Sequence, residues 1–528
     1  MRYSIVSTLL SSLILVQPTL SQCPDYSSYS QARHEPYSTG KYALSYQRPS
    51  PECRTFNSAT IESLIANISS YITDPDLYRL FQNSYPNTLD TAIKWHGTAA
   101  NNSAEELTFI ITGDINAMWL RDSANQLQSY LPLLEPSTSN TSIASLYRGV
   151  INLQARYLLT SPYCNSFQAP VESVIPPATN GAAASDTVTP QYSPDSVFEC
   201  KYELDSLAAF LQISTSYYAA TRDATFFSSF QWLPAVRAVL STAKAMTTPT
   251  YSPADGSVLD SPYTFSRQTS RATETLANDG RGSPVGSGTG LVRSAFRPSD
   301  DSTIFQFLIP ANMMFARYLA SAADIASAIS GQQSLADEMR SFASSIRDAI
   351  NRHGIVTAPA VGNNTDRTTE TIYAYEVDGF GSSVIMDDAN LPSLLSAPVF
   401  GYLEAATDPV YQRTRARILD SASPNGNPYF MRGPVINAVG GPHVGPGMAW
   451  PMASIVRILT SNDEIEIYGA LREIVASTAG LGLIHESVNS FDAGRWTRQW
   501  FSWANGLFGQ MILDLLERKP QILKQSFQ

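Results

Sequence analysis

Residues 112–131, TGDINAMWLRDSANQLQSYL, bring acidic, cationic and indole side chains close together in the chain. Asp114, Trp119, Arg121 and Asp122 are near neighbours, at a place where the pattern predicts the start of a helix. A sugar ring has apolar C–H faces that stack on aromatic rings and hydroxyl groups that pair with carboxylates and guanidinium groups. The same mixture of residues recurs in the segments 202–206, 373–390, 441–451 and 484–505. Together these segments predict a carbohydrate-binding pocket.

Carboxyl groups in the same segments suggest hydrolysis of a glycosidic bond. That reaction uses two carboxyl groups, one protonated and one ionised, and the pair usually comes from distant segments. Each single residue also has a simpler interpretation. Asp114, Asp122 and Asp205 stand at predicted helix starts, where aspartate often serves as an N-cap. Glu486 stands beside His485 and could form a surface salt bridge with it, so the residues alone leave both interpretations open.

Other chemistries find less support in the sequence. It contains no GxSxG, HExxH or P-loop motif. The five histidines are too scattered for a recognisable zinc site. The pair Asp387 and Asp388 lacks the oxygen-rich loop of an EF-hand. We therefore expect neither a metal ion nor another cofactor.

Composition limits the class of protein. The chain has 528 residues, of which 43% are hydrophobic, and its mean hydropathy is -0.12. These values predict a large core and exclude a multispanning membrane protein. The 46 acidic residues outnumber the 35 basic ones, for a formal net charge of -11, and no basic block occurs. We therefore expect no nucleic-acid partner, because phosphate binding needs clustered lysine and arginine.

The amino terminus resembles a secretory signal. Arg2 precedes an apolar stretch that ends near Val16, and Thr19-Leu20-Ser21 is a plausible cleavage site, so residues 1–21 are predicted to be a signal peptide. An uncleaved anchor is the alternative, although the apolar stretch is short for a bilayer. Four N-glycosylation sequons agree with a secreted glycoprotein: Asn67, Asn101, Asn140 and Asn363.

The four cysteines all lie in the first 200 residues. In an oxidising compartment their even number suggests two disulfides, for which three pairings exist. We favour Cys23–Cys53, which closes the amino-terminal arm, and Cys164–Cys200, which closes the Pro/Ala/Thr-rich stretch. Metal binding and redox catalysis are less favoured because the cysteines are widely spaced and form no CxxC motif.

The elements that must position these residues are mostly helices. In residues 334–354 apolar side chains recur every three or four positions between a predicted Ser334 N-cap and a Gly354 stop. Similar patterns predict helices over 58–72, 120–132, 143–160, 202–223, 311–330, 448–461, 463–479 and 501–518. Long Gly/Pro/Ser/Asn-rich connections separate them at 162–198, 249–302, 355–400 and 423–447. We predict a mostly α fold with an arm at 22–55 and one domain at 56–520, arranged as an (α/α)6 barrel whose long loops form a pocket at one end.

Several motifs resemble those of glycoside hydrolase family 125, which comprises exo-acting α-1,6-mannosidases. They occur in order along the chain, from about residue 55 to about residue 518: TGDINAMWLRDS, YELDS, YEVDGFG with MDDAN, and GLIHES with RQWFSWANGLFG. The first and last motifs are specific, whereas YELDS alone is weak. The resemblance implies an (α/α)6 barrel and a metal-independent, inverting exo-mannosidase that releases terminal α-1,6-linked mannose.

The resemblance also implies roles for single residues. Asp205 in YELDS matches the general acid, and Glu486 in HES matches the general base. Residues of the other motifs fall in stretches associated with the sugar pocket: Trp119, Arg121, Asp122, His485, Arg498 and Trp503. The expected partner is an α-1,6-linked mannose-terminated oligosaccharide from mannan or an N-glycan, bound by a monomer. Two alternatives remain: an inverting glucosidase or trehalase-like hydrolase with the same barrel, and a catalytically inactive mannan-binding protein.

Overall fold

A computed structural model describes residues 23–361, 368–420 and 425–528. The predicted signal peptide at 1–21 and the sequon at Asn363 lie outside the described residues. The helices of the described chain are α1 Tyr26–Tyr29, α2 Ala59–Ile68, α3 Pro75–Ser84, α4 Leu120–Gln128, α5 Ile143–Thr160, α6 Leu204–Thr221, α7 Ala224–Ser229, α8 Trp232–Ala245, α9 Ala277–Gly280, α10 Ile309–Ala328, α11 Gln333–Ala349, α12 Pro409–Ile418, α13 Pro451–Leu459, α14 Glu464–Ala476 and α15 Ser502–Arg518.

The longer helices form two concentric rings. In the inner ring α4 packs against α6, α6 against α10, α13 against α15, and α15 again against α4. The helices α3, α5, α8, α11, α12 and α14 alternate with these along the chain and form the outer ring. This arrangement is an (α/α)6 barrel, as predicted from the sequence.

The sixth inner position departs from a regular helix. Between α10 and α13 in chain order, the buried segment 391–403 makes a series of turns. Pro392, Pro398 and Gly401 interrupt it, and proline in a helix interior removes a backbone donor and clashes with the preceding turn. The Asp387 carboxylate accepts hydrogen bonds from the backbone N–H groups of Leu394 and Leu395, each at 2.9 Å, and holds the first turn.

Short strands lie close to the entrances of the inner helices. Three small antiparallel sheets, β3-β4-β6, β12-β11-β8 and β15-β16-β17, each contain a strand that ends just before an inner helix. The strands are β1 Ile93–Ala99, β2 Asn102–Ile110, β3 Met118–Trp119, β4 Ser166–Phe167, β5 Thr187–Thr189, β6 Val197–Glu199, β7 Thr264–Ser266, β8 Phe307–Leu308, β9 Ile355–Pro359, β10 Thr369–Tyr373, β11 Glu376–Val377, β12 Ser383–Val384, β13 Phe430–Met431, β14 Ala438–Val439, β15 Met448–Ala449, β16 Ser487–Asn489 and β17 Asp492–Thr497.

Four of the six outer helices begin with a side-chain cap, and the inner helices do not. Outer helices α3, α5, α12 and α14 start at Asp74, Ser142, Asp408 and Asp463, whose side chains accept hydrogen bonds from the first-turn backbone. The inner helices α4, α6, α10, α13 and α15 have no such side-chain cap. The first N–H groups of α4, α6, α10 and α15 are bonded instead by the entering loops; Leu120 donates to the Asn165 carbonyl, for example, and Leu204 to the Ser294 hydroxyl.

The predicted helices and disulfides agree with the structure. Leu335, Met339 and Ile346 of α11 are buried as their spacing predicts, although α11 is preceded by Gln332 instead of the expected Ser334 cap. Cys23 pairs with Cys53 and Cys164 with Cys200, which confirms the favoured pairing. The sequence patterns missed α3, α8 and α12. The domain boundaries at 22–55 and 56–520 stay a prediction, and none of the described helices is long and apolar enough to cross a membrane.

Candidate active site

A small cavity lies at the amino-terminal ends of the inner helices. Its position follows from the fold, because the loops that enter these helices converge at this end of the barrel. The lining combines carboxylates, arginines and aromatic rings: Thr112, Ile115, Trp119, Arg121, Asp122, Ser299, Asp300, Asn390, His443, Trp450, Glu486, Arg498 and Phe501. This composition suits a single sugar ring, whose faces are apolar and whose edge is polar.

Glu486 lies on one wall of the cavity, just before β16. The Thr497 hydroxyl donates to its Oε2 at 2.9 Å, and the Arg498 guanidinium lies 3.4 Å from its Oε1. Arg498 also donates to Asp114 at 2.7 Å, and its backbone is left-handed with φ of +46°. Non-glycine residues rarely adopt this conformation, and such strain concentrates at functional sites. The contacts hold Glu486 in place beside a cation.

Arg121 forms the floor of the cavity from the first turn of α4. It is 2% exposed, and four carboxylates surround its guanidinium. Their oxygens lie at 2.5 Å for Glu203, 3.1 Å for Asp205, 3.4 Å for Asp122 and 3.9 Å for Asp300. Asp122 and Asp300 line the cavity, whereas Glu203 and Asp205 lie behind Arg121. One buried cation thus orders acidic groups from three parts of the chain.

Asp300 enters the cavity from a tight turn in the long connection before α10. Its backbone is left-handed with φ of +67°, and its side chain is 26% exposed. The turn is fixed from both sides, because Arg297 forms a buried 2.6 Å ion pair with Glu376 and the Ser299 hydroxyl donates to Asp388 at 2.7 Å. Of the carboxylates around Arg121, Asp300 is the most accessible from the cavity.

The electrostatics of the cavity separate its titratable groups. Burial raises the pKa of Asp122 to about 6, against the opposing effect of Arg121. Burial also acts to raise the pKa of Asp300, but Lys201 and Arg121 outweigh it and the pKa is lowered. Burial opposes protonation of His443, yet its neighbour Asp301 raises the pKa to about 9. The cavity therefore contains an ionised Asp300 and a protonated His443 near neutral pH.

A wider outer cleft adjoins the cavity. Glu486 and His443 line both spaces, so they stand at the boundary between them. The remaining walls of the cleft combine apolar and basic residues: Arg271, Val444, Met448, Gly494, Arg495, Trp496 and Thr497. A chain with one terminal ring in the cavity would extend from it into this cleft.

The structure brings together five of the eight predicted site residues. Glu486, Trp119, Arg121, Asp122 and Arg498 all line the cavity. Asp122 lies in the first turn of α4 and makes no N-cap hydrogen bond, which removes the simpler interpretation for this residue.

The other three predicted residues lie outside the cavity lining. Asp205 is fully buried, and its Oδ2 accepts a hydrogen bond from Arg121. This placement does not agree with the predicted role, because a general acid must reach the glycosidic oxygen. His485 is 1% exposed and stacks on Trp496, with ring centroids 4.5 Å apart. Trp503 is buried in the core behind Arg121 and Phe501.

Several residues that line the cavity were not among the predicted site residues. The most important is Asp300, in the segment 249–302, which shows no periodicity. The acidic pair Asp300-Asp301 after Arg297 was the available signal. His443, in the segment 441–451, lies at the cavity mouth and was not among the predicted site residues. Among the described residues, no group of three or more His, Cys, Asp or Glu is arranged to hold a metal ion.

Comparisons with known proteins agree with this geometry. The family model described as metal-independent α-mannosidase, glycoside hydrolase family 125, matches residues 74–513. The meiotically up-regulated gene 157 protein of Schizosaccharomyces pombe is 47% identical over 504 residues, which cover 96% of this chain and 94% of that protein. A Streptococcus pneumoniae structure from a family of metal-independent α-mannosidases, in a non-productive complex with α-1,6-mannobiose, is 31% identical. Its TM-score is 0.73, and the match covers 88% of this chain and 99% of that chain.

Proposed function

This chain belongs to glycoside hydrolase family 125, the metal-independent α-mannosidases, and we propose that it removes single mannose residues from α-1,6-linked chain ends with inversion. The observation that carries the proposal is the two-compartment site. A small cavity holds the charged groups and opens past Glu486 and His443 into a wider cleft. An exo-acting enzyme needs this arrangement, with one ring in the cavity and the rest of the glycan in the cleft. The α-1,6-mannobiose bound to the pneumococcal relative supports the linkage.

In the proposed mechanism Asp300, instead of Asp205, is the general acid. Asp300 is accessible from the cavity, whereas Asp205 is shielded by Arg121. Glu486 is the general base, as the resemblance implied, and it draws a proton from a water molecule on the other face of the sugar. The acid protonates the glycosidic oxygen, the C1–O bond breaks, and the water oxygen bonds to C1. An inverting pair needs a separation of about 6.5–9.5 Å between carboxyl groups, which leaves room for the water.

The remaining lining residues bind the terminal mannose. Trp119 offers an aromatic surface. Arg121 offers N–H donors, and Asp122 has an Oδ2 atom that accepts no hydrogen bond from the described residues. Adjacent hydroxyl groups can pair with such a donor and acceptor. Arg498 fixes Glu486 and keeps a positive charge beside it.

The direct test is mannose release from α-1,6-mannobiose, compared with the α-1,2 and α-1,3 isomers and with α-glucosides. We expect hydrolysis of the α-1,6 isomer above all others. NMR of the first-formed product should show β-mannose, and the α anomer would contradict the inverting assignment. Activity on a glucoside without activity on α-1,6-mannobiose would favour the glucosidase alternative.

Variants of single carboxyl groups test the assigned roles. We expect Asp300→Asn and Glu486→Gln each to lose at least about 10²-fold in kcat, the usual scale for a general acid or base. Asp205→Asn is the matched control, because Asp205 contacts the same guanidinium without reaching the cavity. A larger loss for Asp205→Asn than for Asp300→Asn would return the acid role to Asp205. No mannose release by the wild-type protein would favour a mannan-binding protein without activity.

We also propose that the protein is secreted and glycosylated, with mannan or N-glycans as substrate. The signal-like residues 1–21, the two disulfides and the exposed sequons at Asn67, Asn101 and Asn140 support this proposal. Amino-terminal sequencing of protein recovered from culture medium, before and after glycosidase treatment, would test it. A mature chain that begins near Gln22 is the expected result.

A further inference from the structure

We propose that Glu203 is a positioning residue that holds a proton behind Arg121 and supplies it to Asp300. The inference rests on the proposed function, in which Asp300 is the general acid. As general acid, Asp300 needs a source for its proton. An acid must be protonated when substrate is bound, but Asp300 stands beside Arg121 and receives a hydrogen bond on its backbone carbonyl from Lys201, two cations that favour its ionised form.

Glu203 and Asp300 share one hydrogen-bonding partner. The Asn165 amide nitrogen donates to Glu203 Oε1 at 3.1 Å and to Asp300 Oδ1 at 3.2 Å. The two carboxyl groups also act on each other: Asp300 raises the pKa of Glu203, and Glu203 lowers the pKa of Asp300. Asn165 itself is fixed, because its Oδ1 accepts from the Lys201 backbone at 3.1 Å and its neighbour Cys164 is bonded to Cys200. The contact is thus part of a rigid arrangement.

The local charges also favour a proton that stays bound to the carboxyl groups around Arg121. Four carboxyl groups lie within 4 Å of Arg121, and Lys201, which contacts the Asp300 backbone, also pairs with Glu199 at 3.5 Å. The other nearby cations have carboxylates of their own, Asp301 for His443 and both Asp114 and Glu486 for Arg498. Full ionisation would therefore leave an excess of buried negative charge, which is costly in a medium of low polarity. Groups of this kind titrate together, so the proton belongs to the cluster and settles where ionisation is most unfavourable.

Glu203 is the group best suited to hold it. Its side chain is completely buried, and its Oε2 accepts from Arg121 at 2.5 Å and from Ser206 at 3.0 Å. Burial raises the pKa of Glu203 well above its ordinary value, and Arg121 only partly opposes this effect. Charged or titratable groups face Glu203 from every side: Arg121 from α4, Lys201 from the segment before α6, Asp205 from α6, Tyr263 from the segment before β7, and Asp300 from the turn.

The proton would move when the sugar fills the cavity. Binding displaces water from Asp300 and makes its ionised form less favourable. The Glu203 proton then passes to Asp300, which delivers it to the glycosidic oxygen as the C1–O bond breaks. Glu486 takes one proton from the attacking water and later releases it to solvent. Glu203 and Asp300 together regain one proton from solvent, so the cycle consumes only water and the glycoside.

The test is the pH profile of Glu203→Gln on two substrates. On α-1,6-mannobiose we expect the alkaline limb of the kcat/KM profile to move to lower pH by at least about one unit. The value of kcat/KM should then fall about tenfold above the limb and stay within a few-fold of wild type below it. An activated aryl α-mannoside, such as the 2,4-dinitrophenyl glycoside, needs little protonation of its leaving group. Its hydrolysis should change by less than about threefold. Asp205→Asn removes a carboxylate from the same guanidinium but leaves Glu203 in place, so it should shift the limb less than Glu203→Gln does.

Two outcomes would overturn the inference. One is an equal loss on both substrates at every pH, which a merely structural Glu203 would give, and the other is an unchanged profile. Full activity of Asp300→Asn on α-1,6-mannobiose would instead refute the proposed acid, whatever Glu203→Gln does. If Glu203→Gln does not fold, infrared spectroscopy of the wild type and Asp300→Asn gives the answer. A protonated carboxyl band at pH 7 that shifts in Asp300→Asn is expected, and no such band contradicts the proposal.

Discussion

Arg121 is the single side chain on which the acidic floor of the site depends, and Arg121→Met removes its charge while keeping much of its apolar volume. The guanidinium is 2% exposed and lies within 4 Å of Glu203, Asp205, Asp122 and Asp300. The substitution therefore leaves buried carboxyl groups without their shared cation. We expect both folding stability and activity to fall.

The expected magnitude follows from the cost of unpaired buried charge. Removing one partner of a buried ion pair costs about 3–5 kcal/mol of unfolding free energy. The loss should lie in the upper half of this range at pH 7, because several carboxylates lose their partner at once. The affected groups can still take up protons, which limits the loss and makes it depend on pH.

The sign of this pH dependence is fixed by Arg121. It lowers the pKa of each of the four carboxyl groups, so its removal raises all four values; those of Asp122, Glu203 and Asp205 already lie above the values of the unfolded chain. The folded variant then binds more protons than the unfolded one between about pH 4 and pH 7, and its stability falls as pH rises. We expect the deficit relative to wild type to be smaller at pH 5 than at pH 7 by about 1–2 kcal/mol.

Urea denaturation at pH 5 and pH 7, followed by far-ultraviolet circular dichroism, measures this effect. Arg297→Met is the matched control, since Arg297 is an equally buried arginine whose 2.6 Å ion pair involves one carboxylate, Glu376. Its deficit should change less with pH. A loss below about 1 kcal/mol at pH 7, or an equal loss at both pH values, would refute the account of the cluster.

Two further predictions concern the supports of the site. Replacing Cys164 and Cys200 by serine should lower the free energy of unfolding by about 2–4 kcal/mol. It should also lower kcat, because this disulfide holds Asn165 next to Lys201. Replacing Cys23 and Cys53 should cost similar stability with a smaller change in kcat. Thermal unfolding and mannose release distinguish the two, and equal kcat values for both variants would contradict the assignment. His443, whose raised pKa of about 9 reflects Asp301, adds stability that is fully present below pH 6.5 and lost as pH rises through about 9. Unfolding of His443→Gln should therefore differ most from wild type below pH 6.5 and converge with it above pH 9, and a constant difference would count against the ion pair.

The sequence predicted the helices of the barrel best where one face of a helix is buried. In α11 apolar residues recur at helical spacing because Leu335, Met339 and Ile346 contact the core. The sixth inner position was not predicted, since the segment 391–403 is held by turns and by Asp387 and has no helical period. Helix α3 was also not predicted, although Asp74 and Pro75 form a regular N-cap and first helical position.

The site was predicted in part, for reasons of local geometry. Motifs identify which stretches meet, but they do not tell which of two neighbouring side chains faces the cavity. Around the start of β16 neighbouring side chains point to opposite sides, so Glu486 lines the cavity while His485 packs against Trp496. At the start of α15, Phe501 lines the cavity, whereas Trp503 is buried in the core. Asp300 depends on a left-handed turn whose position no periodic pattern reveals.

The helix starts that lack side-chain caps have a consequence for engineering. A serine or aspartate cap at the residue before a helix typically adds about 1 kcal/mol, so the residues before the inner helices would look like easy places to gain thermal resistance. Three of them, Trp119, Trp450 and Phe501, line the cavity, and a fourth is Glu203. Stability gained at these positions would therefore lower kcat. Attempts to make the enzyme more durable should therefore modify the outer ring, at helices such as α8 and α11, which also begin without a side-chain cap.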